Sequence, residues 1–196
     1  MKLLIVSDIH GNWAALETVL NAESDADRIL CLGDLVGYGP EPAACVNWAI
    51  QQENGSIFVQ GNHDWGVAWR KDPRISPPYR QLAESTQTFC LSVLSEDMLN
   101  FLRLLQPISR FELGNRRCMA CHATPSEPLF RYLRTTDKEL RQEIEIAFSP
   151  HFLFFGHTHW PCLKRIGTTT IVNPGSAVNR RTVIHPPPTR CGKKPK

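Results

Sequence analysis

Short apolar runs, each ending in a polar turn, recur along this chain of 196 residues. Residues 2–6 read as the first such run, apolar throughout from Leu3 to Val6, as suits a strand covered on both faces. It ends in Asp8-Ile9-His10-Gly11. Asp8 and His10 lie two apart, so an extended chain would project them to one side. Asn12 stands where it can cap a helix whose Trp13, Leu16 and Leu20 form an apolar stripe. A second strand over 28–32 ends in Gly33-Asp34, and the glycine-containing segment 35–40 reads as irregular. A helix is expected from about Pro42 to Gln52, with proline in its first turn. Ile57-Phe58-Val59 is the third strand, and Gly61-Asn62-His63-Asp64 reads as a sharp polar turn at its end, with glycine ending the strand without steric cost.

Residues 65–80 mix aromatics, bases and prolines without periodicity and read as an ordered surface loop, able to lid a site for an anionic, partly apolar substrate. Helices are expected over 80–93 and 95–105. The second has Ser95 as cap, acids in its first turn, and Met98, Phe101, Leu102 and Leu105 on one face. Residues 108–113 and 116–121 form a hairpin pattern around Gly114-Asn115, ending in His122. A helix over about 136–148 and a buried strand over 152–155 lead to Gly156-His157-Thr158-His159. A last hairpin, 163–166 with 169–172, ends in Asn173-Pro174-Gly175-Ser176, and Val178 to Ile184 could add one short strand. No internal repeat is visible. The fold class is α/β (α+β).

The length suits one domain, and 42% hydrophobic with 21% charged residues is the composition of an ordinary soluble globular protein. The net charge of +3 conceals an asymmetry. Six bases follow residue 179 with no acid, so the body carries 16 bases against 19 acids. The expected division is therefore a domain over 1–178 and a basic, proline-containing tail over 179–196. The first apolar run is too short for a signal peptide or membrane span. A cytoplasmic location is expected, with no membrane partner, and the seven irregularly spaced cysteines are expected reduced.

The strand ends gather the chemistry. Asp8, His10, Asp34, Asn62, His63, Asp64, His122, His157 and His159 all fall there, and these include five of the seven histidines. A single histidine in a turn is usually structural, but five with aspartates at successive strand ends form a ligand set. Nitrogen and oxygen donors without thiolate suit Mn, Fe, Zn or Ni. There are too many for one ion and enough for two that share a carboxylate. Two such ions about 3.5–4 Å apart can clamp a phosphoryl group and lower the pKa of water.

In this order, Asp-x-His, Gly-Asp, Gly-Asn-His-Asp, a lone His and Gly-His-x-His resemble the calcineurin-like metallophosphoesterases. The loop from Gly33 to Pro40 and Asn173 to Ser176 resemble their small bacterial and archaeal phosphodiesterase branch. The resemblance implies a two-sheet sandwich of mixed strands flanked by helices. It implies one divalent ion on Asp8, His10 and His159, a second on Asn62, His122 and His157, and Asp34 as the bridge. His63 would contact the phosphate rather than bind metal, with Asp64 orienting it. A hydroxide bridging the ions would attack phosphorus in line, on a small phosphate-ester substrate. The Ser/Thr phosphatase branch has Asp-Arg-Gly and Gly-Asn-His-Glu where this chain has Gly37-Tyr38-Gly39 and Asp64, so a phosphodiester is favoured over a monoester.

Ala123 stands where the family usually has glycine. The Pro-containing end replaces a final strand pair, which predicts a weakened sheet edge, a route to homo-oligomers and lowered stability. A non-catalytic scaffold of the same fold is the main alternative, followed by a phosphomonoesterase. A nuclease lacks a broad basic surface. Cys118-x-x-Cys121-His122 matches a c-type haem attachment pattern, but attachment requires export, a cytoplasmic location is expected, and the metal reading uses His122 as a ligand.

Overall fold

The structure, a computed structural model, describes residues 1–52, 55–133 and 136–176 and the backbone of 183–184. Its strands are β1 (Leu3–Val6), β2 (Arg28–Cys31), β3 (Ile57–Phe58), β4 (Ile108–Leu113), β5 (Arg116–Cys121), β6 (Phe152–Phe154), β7 (Cys162–Ile166), β8 (Thr169–Asn173) and β9 (Val183–Ile184). Its helices are α1 (Trp13–Ala22), α2 (Pro42–Ile50), α3 (Asn62–Trp69), α4 (Pro77–Val93), α5 (Glu96–Leu104) and α6 (Asp137–Ile146).

Two mixed sheets result. The first has the order β3-β2-β1-β9, with β1, β2 and β3 parallel and β9 antiparallel beside β1. The second has the order β4-β5-β6-β8-β7, parallel across β5, β6 and β8 and antiparallel at both edges. Alternation along the strands builds four layers. Leu3, Ile5, Leu30 and Leu32 face Cys118, Ala120, Phe154 and Val172 between the sheets. Leu4, Val6 and Cys31 face the opposite way, onto Leu16 of α1, Val46 of α2, Val67 of α3, Cys90 of α4 and Leu102 of α5. Met119, Leu153 and Ile171 meet Leu140 and Ile144 of α6 on the outer face of the second sheet. The apolar run at Leu3–Val6 therefore reflects a strand packed on both faces, with all four residues buried.

Most elements lie within two or three residues of the sequence expectation. The exception is the segment 62–80. Asn62 does not open a polar turn; it opens α3, and Pro77 begins α4, leaving only 70–76 irregular. The expected strand near 178–184 appears as β9. Residues 177–182 and 185–196, which hold the expected tail, lie outside the described residues.

Cys118 and Cys121 point to opposite faces of β5, one into the core between the sheets and one toward α6. They cannot anchor one haem together. The described cysteines are all free thiols. Among the described residues no helix is long and apolar enough to cross a membrane.

Candidate metal centre

All nine expected site residues leave the C-terminal ends of β1, β2, β3, β5 and β6, and the two sheets bring these ends together. Eight of the nine are buried, and His159 is part-exposed. Asp8, His10, Asp34, His157 and His159 all have left-handed backbones, with φ between 51° and 62°. That conformation costs a non-glycine residue about 1–3 kcal/mol and persists where surrounding contacts impose it. Here the contacts are visible. Asp8 N–H donates to Gly33 O (3.0 Å), His10 N–H to Asp34 O (2.8 Å) and His157 N–H to Asp8 Oδ2 (3.1 Å). Ser7 Oγ–H donates to Asp8 Oδ2 (2.6 Å) and Ser176 Oγ–H to Asp8 O (2.8 Å).

Asp8, His10 and His159 form one cluster. His10 Nε2 lies 3.1 Å from His159 Nε2, which lies 3.3 Å from Asp8 Oδ1. Asn62, His122 and His157 form a second, with His122 Nε2 3.0 Å from Asn62 Oδ1 and 3.1 Å from His157 Nδ1. Asp34 Oδ2 stands between them, 3.8 Å from His10 Nε2 and 3.3 Å from His122 Nε2. Secondary contacts aim these atoms. Leu32 O accepts from His122 Nδ1 (2.7 Å) and Val36 O from His10 Nδ1 (3.2 Å), which leaves each Nε2 free as a lone-pair donor. Asn62 Nδ2 donates to Pro73 O (2.9 Å), turning its carbonyl oxygen inward.

The donor set fits a cation. Lone pairs converge from several directions, and buried Asp8 Oδ1 has His159 Nε2, itself a candidate ligand, at 3.3 Å and no well-formed hydrogen bond among the described residues. A buried carboxylate oxygen without a well-formed hydrogen bond is costly unless a positive group faces it. Geometry also admits Asp8, Asp34 and His122 as one set, and His10, Asp34 and His63 as another.

Protonation follows the same crowding. Burial raises the Asp34 carboxyl, but the surrounding histidines, His122 foremost, hold it well below the usual carboxylate range. Burial opposes a charge on His122, yet Asp34 lifts it to about 9. Burial pushes His63 and His157 down to about 4.

His63 N–H donates to Asp34 Oδ1 (2.9 Å), and its ring packs on Tyr38, with centroids 4.6 Å apart. Asp64 makes different contacts from those expected. Its carboxylate accepts four backbone N–H groups, from Gly61, Asp34, Leu35 and Val36, at 2.8–3.3 Å. It organises the Asp34 loop, and any influence on His63 passes through the backbone.

A cavity of about 510 Å³ opens beside Asp34, His63 and His159. Sequence reasoning did not single out Tyr132 or Trp160, which line it, and used Tyr38, which also lines it, only as part of the Gly37-Tyr38-Gly39 motif. Tyr79, in the segment read as a surface loop able to lid a site or merely to connect, does line it, but the bases of that segment do not. Lys71 covers Trp65, and Arg74 covers Phe130 and pairs with Glu127.

Residues 1–189 match the calcineurin-like phosphoesterase superfamily domain. The chain belongs to that superfamily. It is 30% identical to an uncharacterised protein of Methanocaldococcus jannaschii over 81% of its own length, and spans 63% of that relative. It is 25% identical to the phosphodiesterase YfcE of Escherichia coli over 90% of its length and 79% of that protein's. The crystal structure of a metallophosphoesterase from Sphaerobacter thermophilus superposes with a TM-score of 0.71 at 29% identity, covering 90% of this chain and 77% of that one. The two helix-flanked sheets are thus the metallophosphoesterase fold.

Proposed function

We propose that the protein is a phosphodiesterase working with two divalent cations that share Asp34. The observation that carries this reading is the position of Asp34 Oδ2, within 4 Å of one imidazole nitrogen from each of two ligand clusters. Asp8, His10 and His159 would hold one cation, and Asn62, His122 and His157 the other. Bound there, Mn, Ni, Fe or Zn would supply Lewis-acid charge and a deprotonated water near neutral pH. The chain's own residues do the rest. In this reading the phosphorus would lie beside Asp34, and His63, on the cavity wall, would hydrogen-bond a phosphate or leaving-group oxygen.

A diester is favoured over a monoester by charge. Among the described residues lining the cavity none is Lys or Arg. A monoanionic diester asks for less compensating charge than a dianionic monoester. The phosphodiesterase relative in Escherichia coli supports the same choice.

The test is hydrolysis of bis(p-nitrophenyl) phosphate and p-nitrophenyl phosphate after chelation and re-addition of Mn, Ni, Zn or Mg. Metal-restored diester cleavage is expected. Preference for the monoester would make it a phosphomonoesterase, and no turnover by folded, metal-loaded protein would leave a scaffold.

A further inference from the structure

The cavity wall is strongly aromatic. All three tyrosines of the chain, Tyr38, Tyr79 and Tyr132, line it together with Trp160. Tyr79, Tyr132 and Trp160 are 59%, 57% and 79% exposed, so they leave large apolar faces in water at its mouth. A small protein seldom gathers exposed aromatic rings in one place without a ligand to cover them. Tyr38 is committed, its ring packed against His10 and His63 at 4.8 and 4.6 Å between centroids. Tyr79 and Trp160 have no such ring partner among the described residues. They come from different elements, Tyr79 from the first turn of α4 and Trp160 from the loop after His159, and both line the same cavity.

We infer that the substrate of the proposed diesterase carries an aromatic ring of nucleobase type, stacked against Tyr79 and Trp160 while its phosphate meets the Asp34 centre. The inference rests on the phosphodiesterase reading, and three features specify it. The ring faces are uncharged and flat, which suits stacking on another flat ring. The volume of about 510 Å³ is that of a small-molecule site and not of a groove for a polymer. Among the described residues the lining has no Lys or Arg, which suits one phosphate rather than a chain of them. The substrate class is a mononucleotide-sized phosphodiester.

Stacking of a base on an aromatic side chain changes affinity by about 5- to 150-fold on removal of the ring. The test uses two diesters with one leaving group, the p-nitrophenyl ester of thymidine 5′-monophosphate and p-nitrophenyl ethyl phosphate, with Mn-loaded protein. The nucleoside ester is expected to have at least about tenfold the kcat/KM of the ethyl ester, mainly through KM. Trp160→Ala and Tyr79→Ala should each shrink that ratio toward one, and Trp160→Phe should retain most of it. An active wild type with a ratio near one, or variants that leave the ratio unchanged, overturns the inference. Calorimetric titration of the same Mn-loaded protein with adenosine 5′-monophosphate and ribose 5-phosphate separates the two readings. Tighter binding of the nucleotide, lost in Trp160→Ala, keeps the ring site even if neither diester is cleaved. Equal affinity for both compounds removes it.

Discussion

Asp64 Oδ2 accepts the backbone N–H of Asp34 at 2.8 Å, so a carboxylate at the start of α3 holds the loop that carries the candidate bridging ligand. The same oxygen accepts Gly61 N–H, and its partner oxygen accepts those of Leu35 and Val36. Asp64→Asn is nearly isosteric but turns an NH2 group toward backbone N–H donors. Each buried donor left unpaired costs about 1–3 kcal/mol. The variant should lose about 2–5 kcal/mol in urea unfolding of the metal-free protein and bind metal more weakly, with every ligand still present. Unchanged stability would remove Asp64 from this role.

Gly61 matters for space rather than for its dihedral. Its φ of −91° suits any residue, but a Cβ there would lie 2.1 Å from Asp34 Oδ1 and 2.3 Å from Asp34 N. Gly61→Ala should therefore displace Asp34 and abolish activity, with a stability loss of at least about 1–3 kcal/mol. Gly114→Ala is the control. Its φ is +61° and a Cβ added there would meet no atom within 4 Å, so strain of about 1–2 kcal/mol is expected without loss of activity. Comparable activity losses in both would contradict the packing argument.

The metal-free protein should be most stable near pH 6.5. His63 and His157 have pKa values near 4, below the unfolded value of about 6.5. Burial lowers His10 too. As pH falls from 6.5 to 4 the unfolded chain gains these protons first. Asp64, pushed up to about 7 by burial and then by the Asp34 charge, offsets one of them. The net excess in the unfolded chain is at least one proton, worth about 1.4 kcal/mol per pH unit. Above 6.5 the sign reverses. His122, lifted to about 9, stabilises the folded state fully below 6.5, and that contribution fades as pH approaches 9. Urea unfolding of chelated protein from pH 4 to 9 should trace a maximum, and a flat or monotonic profile would contradict these assignments.

Glu143 of α6 lies fully buried behind the segment that follows His122. Its carboxylate accepts Ser126 N–H (2.9 Å), Ser126 Oγ–H (2.7 Å) and Arg131 Nη1–H (2.7 Å). That grip fixes the segment leading to Tyr132, whose ring lies 4.2 Å from His157. Glu143→Ala leaves the Ser126 N–H and Oγ–H without their acceptor, at up to about 1–3 kcal/mol for each donor left unpaired, while Arg131, 37% exposed, can turn to water. Glu143→Ala should show a loss of that size in thermal or urea unfolding; a loss under about 1 kcal/mol would mean the segment is held by other contacts.

Much of this architecture was legible in the sequence. The hairpin of β4 and β5 shows in the apolar runs flanking Gly114-Asn115, and its residues fall as expected. β1 shows as an uninterrupted apolar run. The site residues were legible because chemistry-bearing side chains sit at successive strand ends. What the sequence hid depends on tertiary contact. Asn62 to Trp69 is helical although Gly61 has no side chain to cap it, because Asp64 reaches back to the Gly61 N–H. Six of its eight residues are buried, so it lacks the amphipathic stripe that marks a surface helix. Likewise, Asp8 and His10 do share a site, but through left-handed backbones imposed by the β2 loop rather than by extended-chain alternation. Pro77-Pro78 read as loop, whereas they open α4, where a missing N–H is no handicap.

The proposed function makes Asp34 the residue that joins two ligand clusters into one two-ion centre. The most direct measurement is metal content per chain after reconstitution with Mn and gel filtration, for wild type and Asp34→Ala, alongside bis(p-nitrophenyl) phosphate hydrolysis. About two ions per wild-type chain are expected, falling to one or fewer in Asp34→Ala with loss of hydrolysis. A wild type that is folded and active with a single ion, or an Asp34→Ala protein that retains two ions and full activity, would contradict it.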